Sequence, residues 1–448
     1  MLSPEQAQTR CQALIERARA AGADAADALF AASSSQSVQV RLGALEDVER
    51  SENEHASLRV FVGKSTASIG SSDLSDAALG ELAERAVAMA RAAPEDRYAG
   101  LAPAEMLLRN TPPRLDLVDP IETSPAQLRA RAAEAEDAAR AVSGVTNSEG
   151  GSASAGSAVV ALATTGGFCG GYATTSHSLS ASVVAGEGAG MQRDYAWRIA
   201  HHAAALPGPG EIGTLAGQRA IARLNPQAMA SGPRPVVFSP RVGGSLVGQL
   251  IGAISGASIT RKASFLLGHE GEQVFARGIT IHDDPHRVRG LRSRPFDGEG
   301  LPTAPRALVE DGRITGWLLD SASARQLDCA PTGHAVRGHG GSPGVSAGNV
   351  ILEPGAASVA DLIGDIADGV YITELIGQGV NGLTGDYSRG ASGVRIVNGQ
   401  FAGPVAGITI AGNLLDMFAH LSAANDLEIY RGIDVPTLRV DGMMVAGD

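Results

Sequence analysis

Gly243-Gly244-Ser245-Leu246-Val247-Gly248-Gln249-Leu250-Ile251-Gly252-Ala253, followed by Arg261-Lys262-Ala263-Ser264-Phe265-Leu266, is the stretch on which the reading of this chain turns. The first run reads as a helix over residues 243–256. A zinc-protease helix carries two His side chains one turn apart on one face, with a Glu beside the first as general base. This run holds no His and no Glu. The helix is expected; the metal chemistry is not.

Other chemistries fare no better on the same stretch. Ser245 follows Gly243-Gly244 but lacks the Gly-x-Ser-x-Gly elbow of a hydrolase nucleophile. Gly248 and Gly252 weaken a phosphate-loop reading, and no Walker lysine follows.

Bulk composition narrows the classes. The chain has 448 residues, of which 44% are hydrophobic and 19% charged, an ordinary globular balance with room for two or three domains. Aromatics are scarce at 4% while glycine numbers 57, so cores of Ala, Val, Leu and Ile between many tight turns are expected. The net charge of −12 argues against a broad nucleic-acid surface, because phosphates require Lys and Arg. Cys11, Cys169 and Cys329 lie far apart, which points to neither a disulfide framework nor a zinc ribbon. The N-terminus shows no basic segment before an apolar run, and no stretch reaches ~18 apolar residues. A cytoplasmic protein without a membrane span is expected.

Along the chain the pattern alternates. Residues 4–21 read as a helix capped by Ser3 with Pro4 in its first turn. Residues 37–42 alternate as a strand into a Gly43-Ala44 turn, and Gly63-Lys64 separates strands 58–62 and 66–69. A helix over 74–92 places Leu79, Leu82, Ala86 and Met89 on one face. Residues 94–123 are a proline-rich connector. A second unit, 124–230, opens with a helix at 125–142, continues in strands near 156–164 and 171–185 about Gly166-Gly167, and closes with a helix at 210–224. From 231 to 448 short strands broken by glycine dominate, with helices at 243–256, 358–368 and 411–421. The fold class expected is α+β: an N-terminal α/β region (1–93, then 124–230) of antiparallel strands with flanking helices, and a large C-terminal, mostly antiparallel β domain with few helices.

Several short motifs in fixed order point further. They are residues 261–266, Asp297-Gly298-Glu299-Gly300, the strand pair 307–309 and 314–317 joined by Glu310-Asp311-Gly312, the segment 385–393 (Gly-Asp-Tyr-Ser-Arg-Gly-Ala-Ser-Gly), residues 408–413 and residues 436–442. On these the chain resembles the TldD/PmbA family, also called TldD/TldE and described as modulators of DNA gyrase. The resemblance implies two branches. TldD-like members resemble metalloproteases, with a His-Glu-x-x-x-His helix and a Cys near the C-terminus as zinc ligands. PmbA-like members lack the ligands and pair with a TldD-like chain. Counting back from Arg261, the ligand positions fall at Gly248, Gln249 and Ala253, and the segment 425–436 contains no Cys. The chain therefore resembles the PmbA (TldE) branch: no metal or cofactor in this chain, zinc in a TldD-like partner.

Three other histidine groups compete as sites. His269-Glu270 lacks a second His at helical spacing. His282-Asp283-Asp284-Pro285-His286 reads as an exposed acidic loop, with a metal site as its alternative. His201-His202 follow a strand and point to opposite faces. Candidate peptide-groove contacts are His334, Arg337 and His339, together with Asp386, Ser388 and Arg389 in a segment whose plainer reading is a sheet-edge turn.

The leading expectation is a non-catalytic subunit of a two-chain protease acting on unfolded peptides and peptide precursors, partnered by a TldD-like chain or by itself. Peptides would pair with exposed strand edges. The rivals are a contact-only modulator of gyrase or of a toxin–antitoxin pair, and a homodimeric metallopeptidase with an unorthodox site.

Overall fold

The computed structural model describes residues 2–338 and 343–447. Helix α1 (Pro4–Ala20) begins where Ser3 and Gln6 cap one another's amides, with Pro4 in the first turn. Strands β1 (Ala25–Arg41), β2 (Ala44–Val62) and β3 (Ser65–Ser71) follow, then helix α2 (Asp76–Ala92). After the connector come α3 (Pro125–Arg140), β4 (Val145–Thr164), β5 (Cys169–Ala185), β6 (Gln192–Ala200) and α4 (Pro209–Ile221). The strands on either side of the connector join one antiparallel sheet in the order β3-β2-β1-β4-β5-β6.

Period two decides what each face of that sheet meets. On β1, Ala26, Ala28, Phe30 and Ala32 pack under α1 and α2, while Val38 and Val40 pack under α3 and α4. Leu29, on the other face, joins Phe168 with Phe296 and Leu301 of the C-terminal half. The α3 layer sits very close: a Cβ on Gly151 would lie 2.1 Å from the Ala132 carbonyl oxygen, so only glycine permits that approach. Glu136 on α3 is fully buried and accepts the amides of Leu42 (2.6 Å) and Gly43 (3.0 Å), closing the β1–β2 turn.

The C-terminal half begins with β7 (Gly232–Phe238), α5 (Pro240–Ala253) and α6 (Gly256–Thr260), then β8 (Ile281–Asp284), β9 (Arg306–Glu310), β10 (Arg313–Ile314) and α7 (Ser321–Gln326). A small ribbon, β11 (Ala335–Val336) with β12 (Gly344–Val345), precedes β13 (Asn349–Leu352), α8 (Val359–Ile363) and β14 (Asp368–Ile376). The chain ends with β15 (Asp386–Val397), β16 (Gln400–Asn413), α9 (Leu414–Ala419), β17 (Leu421–Ala423), β18 (Ile433–Asp434) and β19 (Leu438–Ala446). One sheet runs β10-β9-β8-β13-β18; the other runs β16-β15-β14-β7-β19-β17 and curls until β16 also pairs with β19. Only β7–β14 and β13–β18 are parallel among the paired strands. The α+β class and the mostly antiparallel C-terminal region match the expectation. Among the described residues, no helix is long and apolar enough to cross a membrane.

Four local expectations are corrected. Met89 is 45% exposed, and the buried face of α2 carries Ala83, Val87 and Ala90 beside Leu82 and Ala86. The helices expected at 358–368 and 411–421 are shorter, because β14 and β16 claim their flanks. Residues 282–284 are strand rather than exposed loop, and Asp283 is wholly buried. Residues 386–393 belong to β15 rather than to a turn.

Candidate functional site

Helix α5 enters from Ser239 with Pro240 in its first turn. Gly243, Leu246, Val247, Leu250 and Ala253 form its buried stripe, the period of a helix half-embedded in a core. Gly243 is there for space: a Cβ would stand 3.0 Å from Val435 Cγ2. Gly248 and Gly252 are different, since a Cβ at either would meet nothing within 4 Å. Glycine inside a helix costs about 1 kcal/mol relative to alanine, and no packing here asks for it at 248.

The three degenerate positions do not fit a metal. Gly248 has no side chain, Gln249 offers a neutral amide, and Ala253 is a buried methyl group. Among the described residues no group of three His, Cys, Asp or Glu side chains gathers around a common point.

The N-terminal end of α5 borders a cleft. A cavity of about 440 Å³ is lined by Arg241, Ser245, Glu374, Arg389 and Arg431, among others. A second, of about 360 Å³, adjoins it through Pro240, Arg241, Thr373 and Arg431 and reaches Arg219 on α4 and Arg223 in the turn after it. The cleft therefore lies between β6 and α4 on one side and α5, β14 and the Tyr430-Arg431 loop on the other.

Guanidinium groups dominate its walls. Arg241 Nη1 donates to Asp194 at 2.6 Å, and its plane lies 4.3 Å from the Tyr195 ring centroid. Arg223 bridges Asp194 and Glu374. Arg198 and Arg431 both stack on Tyr430, at 3.7 and 4.0 Å from its centroid, an arrangement favourable to each cation. Arg219 donates only to the Tyr195 carbonyl, at 3.1 Å. Burial first, and the Arg241 cation second, push the Arg219 pKa down. Burial does the same for Arg431, with Arg198 adding to it. Arg389 Nε is buried without a hydrogen-bond partner.

The residues singled out in the sequence are not one constellation. His334 is 3% exposed, with Nε2 3.1 Å from Asp283 Oδ2 and Nδ1 2.8 Å from Thr332 Oγ1. Arg337 is buried and paired with Asp27. His339 lies outside the described residues. Asp386 and Ser388 are exposed on β15, with Asp386 bound by Thr384 and Asn413. Arg389 alone of the set lines the α5 cleft. His282 reaches Glu353 at 2.8 Å and His286 reaches Thr303 at 2.9 Å, so that pair diverges. His201 and His202 are both buried and engage separate backbone carbonyls, of Thr175 and Gly290 for the first and Asp116 for the second.

Sequence reasoning missed Arg219, Arg223, Arg241 and Arg431. Two signals were present. Arg219 and Arg223 stand four apart within the helix expected over 210–224, although α4 ends at Ile221, and Tyr430-Arg431 sets an aromatic beside a cation.

Three family models cover most of the chain: PmbA/TldA metallopeptidase domain 1 over residues 26–90, the central domain over 118–224 and the C-terminal domain over 231–447. The chain belongs to the PmbA/TldD metallopeptidase family. It is 37% identical over 426 residues to the metalloprotease PmbA of Escherichia coli O157:H7, covering 95% of this chain and 92% of that protein. The metalloprotease PmbA homolog of Haemophilus influenzae is 34% identical, covering 97% and 94%. That organism's metalloprotease TldD homolog matches at 26% identity over 51% of this chain and 52% of its own. A crystal structure from Bacteroides thetaiotaomicron, of a candidate modulator of DNA gyrase, superposes with a TM-score of 0.91 at 26% identity over the full length of both chains. TldE from Thermococcus kodakarensis shares the fold, with a TM-score of 0.84 at 20% identity over 98% of this chain and 100% of that one. The family membership expected from the short motifs is thereby confirmed.

Proposed function

We propose that this chain is the non-catalytic subunit of a two-chain metalloprotease that acts on unfolded peptides and peptide precursors. The observation that carries the reading is α5. It keeps the helix and its packed stripe, yet Gly248, Gln249 and Ala253 supply no ligand and no general base. In this reading zinc and bond cleavage belong to a TldD-like partner, and this chain contributes cleft wall and interface. Arg241, Arg389 and Arg431 line that wall.

The test is co-purification with a TldD-like protein, zinc analysis of each chain, and peptide cleavage by each alone and by both. Stoichiometric zinc in this chain, or cleavage by it alone, refutes the reading. A monodisperse monomer unchanged by the partner does so too.

A further inference from the structure

The cleft beside α5 is unbalanced in charge. Arg241, Arg292, Arg389 and Arg431 line the 440 Å³ cavity against a single carboxylate, Glu374. Glu374 is already held by Arg223, and Arg241 is neutralised by Asp194. Among the described residues, three of the lining guanidinium groups, those of Arg292, Arg389 and Arg431, have no ion pair. Arg431 donates to the Pro240 carbonyl, at 3.2 Å, and is also hydrogen-bonded to Tyr430, neither of which is a carboxylate. The Asp434 carboxylate near Arg431 is occupied by the amides of Tyr430, Arg431 and Gly432. Arg292 and Arg389 have no side-chain hydrogen bond among the described residues, and the buried Nε of Arg389 is a donor left unpaired. A chain of net charge −12 has acids to spare for surface cations, yet the acids near these three, Glu374 and Asp434, are already engaged. Burying an unpaired donor costs free energy, which an anion entering the cleft would recover. Planar guanidinium groups match a carboxylate in bidentate fashion.

We propose that Arg292, Arg389 and Arg431 bind a carboxylate of the peptide substrate, at its free C-terminus or on an acidic side chain. This rests on the reading of the chain as a peptide-processing subunit. It gives that subunit a task beyond completing an interface: it holds the peptide at a carboxylate.

The experiment uses the full chain, alone and mixed with a TldD-like protein, and three fluorescent peptides of one neutral sequence. One ends in a free acid, one in an amide, and one in an amide with an internal Glu. Anisotropy is expected to give the free acid at least about tenfold tighter binding than the plain amide, the scale of a charge-assisted hydrogen bond, and to lose that preference at high salt. The double substitution Arg292→Gln with Arg389→Gln is expected to abolish it. Neither change removes an intramolecular hydrogen bond, and circular dichroism checks the fold. Arg292→Lys with Arg389→Lys should retain part of the preference. If the internal-Glu amide binds as the free acid does, the site takes either carboxylate; if the internal-Glu amide alone binds tightly, the carboxylate is a side chain's, and in both cases the proposal holds. Equal binding of all three peptides, a preference that survives the double Gln substitution, or no binding in either preparation overturns it. So does competition by the TldD-like protein without carboxylate preference, which would assign these arginines to the subunit interface. Peptide cleavage by the mixture tests the subunit reading separately. Cleavage without carboxylate preference keeps that reading and rejects this proposal; carboxylate-selective binding without activation of the partner does the reverse.

Discussion

Two arginine clusters in this protein differ in one respect. Where the N-terminal sheet meets the C-terminal half, Asp27, Arg59, Glu299 and Arg337 form a sealed set, two cations to two anions, with side chains no more than 6% exposed. Burial pushes the Asp27 carboxyl up, but the Arg337 and Arg59 guanidinium groups outweigh it and hold the pKa below its ordinary value. In the α5 cleft, by contrast, three guanidinium groups stand without a carboxylate. In the sealed set the charges are matched within the chain, although Arg337 Nε and Nη2 are buried without a hydrogen-bond partner. The unmatched cations are the ones that face open space. Pairing, rather than the presence of arginine, separates a structural cluster from a binding one.

The sharpest way to break the comparison is to unbalance the sealed set. Arg59→Met leaves Asp27 and Glu299 short of a partner, and removing one member of a buried pair costs about 3–5 kcal/mol. Denaturant unfolding should show that loss. A cost below about 1 kcal/mol would mean that water reaches the cluster and that it is not sealed.

Asp297 beside this cluster sets a pH dependence. Burial, with the nearby Glu299 carboxylate second, raises its pKa from 3.8 to about 7. The folded chain then holds a proton there that the unfolded chain has released, so stability falls as pH rises from about 4 to about 7 and levels above it. At about 1.4 kcal/mol per unit the effect reaches up to about 4 kcal/mol. Asp27 acts in the opposite sense and in a lower window: its stabilisation is present above its ordinary value and lost as pH falls through the lowered one. Asp297→Asn, a mimic of the protonated acid, should flatten the midpoint-against-pH profile between those limits. An unchanged slope would place its source elsewhere.

A smaller effect is expected from grafting the missing ligands onto α5 as Gly248→His, Gln249→Glu and Ala253→His. Gly248 has open space, so overpacking falls on the buried Ala253 alone, at about 1–3 kcal/mol. Two imidazoles without a third ligand hold zinc weakly, and neither stoichiometric metal nor peptide cleavage should appear. Chelator-sensitive cleavage by this variant alone would reveal a third ligand nearby.

The smallest effect belongs to the open cluster. Arg292→Gln breaks no hydrogen bond and should change unfolding stability by less than about 0.5 kcal/mol. A loss comparable to that of Arg59→Met would make the cleft structural after all.

Much of the fold was legible where local chemistry announces it. Ser3-Pro4 marks a helix start, and its cap forms; the helix expected from residue 125 begins there, under a Ser124 cap that sequence reasoning missed. Strand lengths were not legible. β1 crosses Ser33-Ser34-Ser35 and β4 runs on for 20 residues through Gly and Ser, because sheet pairing carries strands past the point where hydrophobic alternation ends. Asp283 sits in a His-Asp-Asp-Pro-His run that looks solvated, yet pairing of β8 with β9 and β13 buries it. The lack of His and Glu in residues 243–253 could be read directly. The charge clusters could not: Arg59 meets Glu299 across 240 residues and Arg337 meets Asp27 across 310, a distance over which no sequence pattern reports contact.

We propose that α5 is a packed helix without chemistry and that this chain works with a partner. Peptide hydrolysis by this chain, by a TldD-like chain and by their mixture, with zinc measured in each, tests it most directly. The account predicts no zinc and no hydrolysis for this chain alone, and zinc-dependent hydrolysis by the mixture above that of the TldD-like chain alone. Hydrolysis by this chain alone, with metal bound to it, would contradict it.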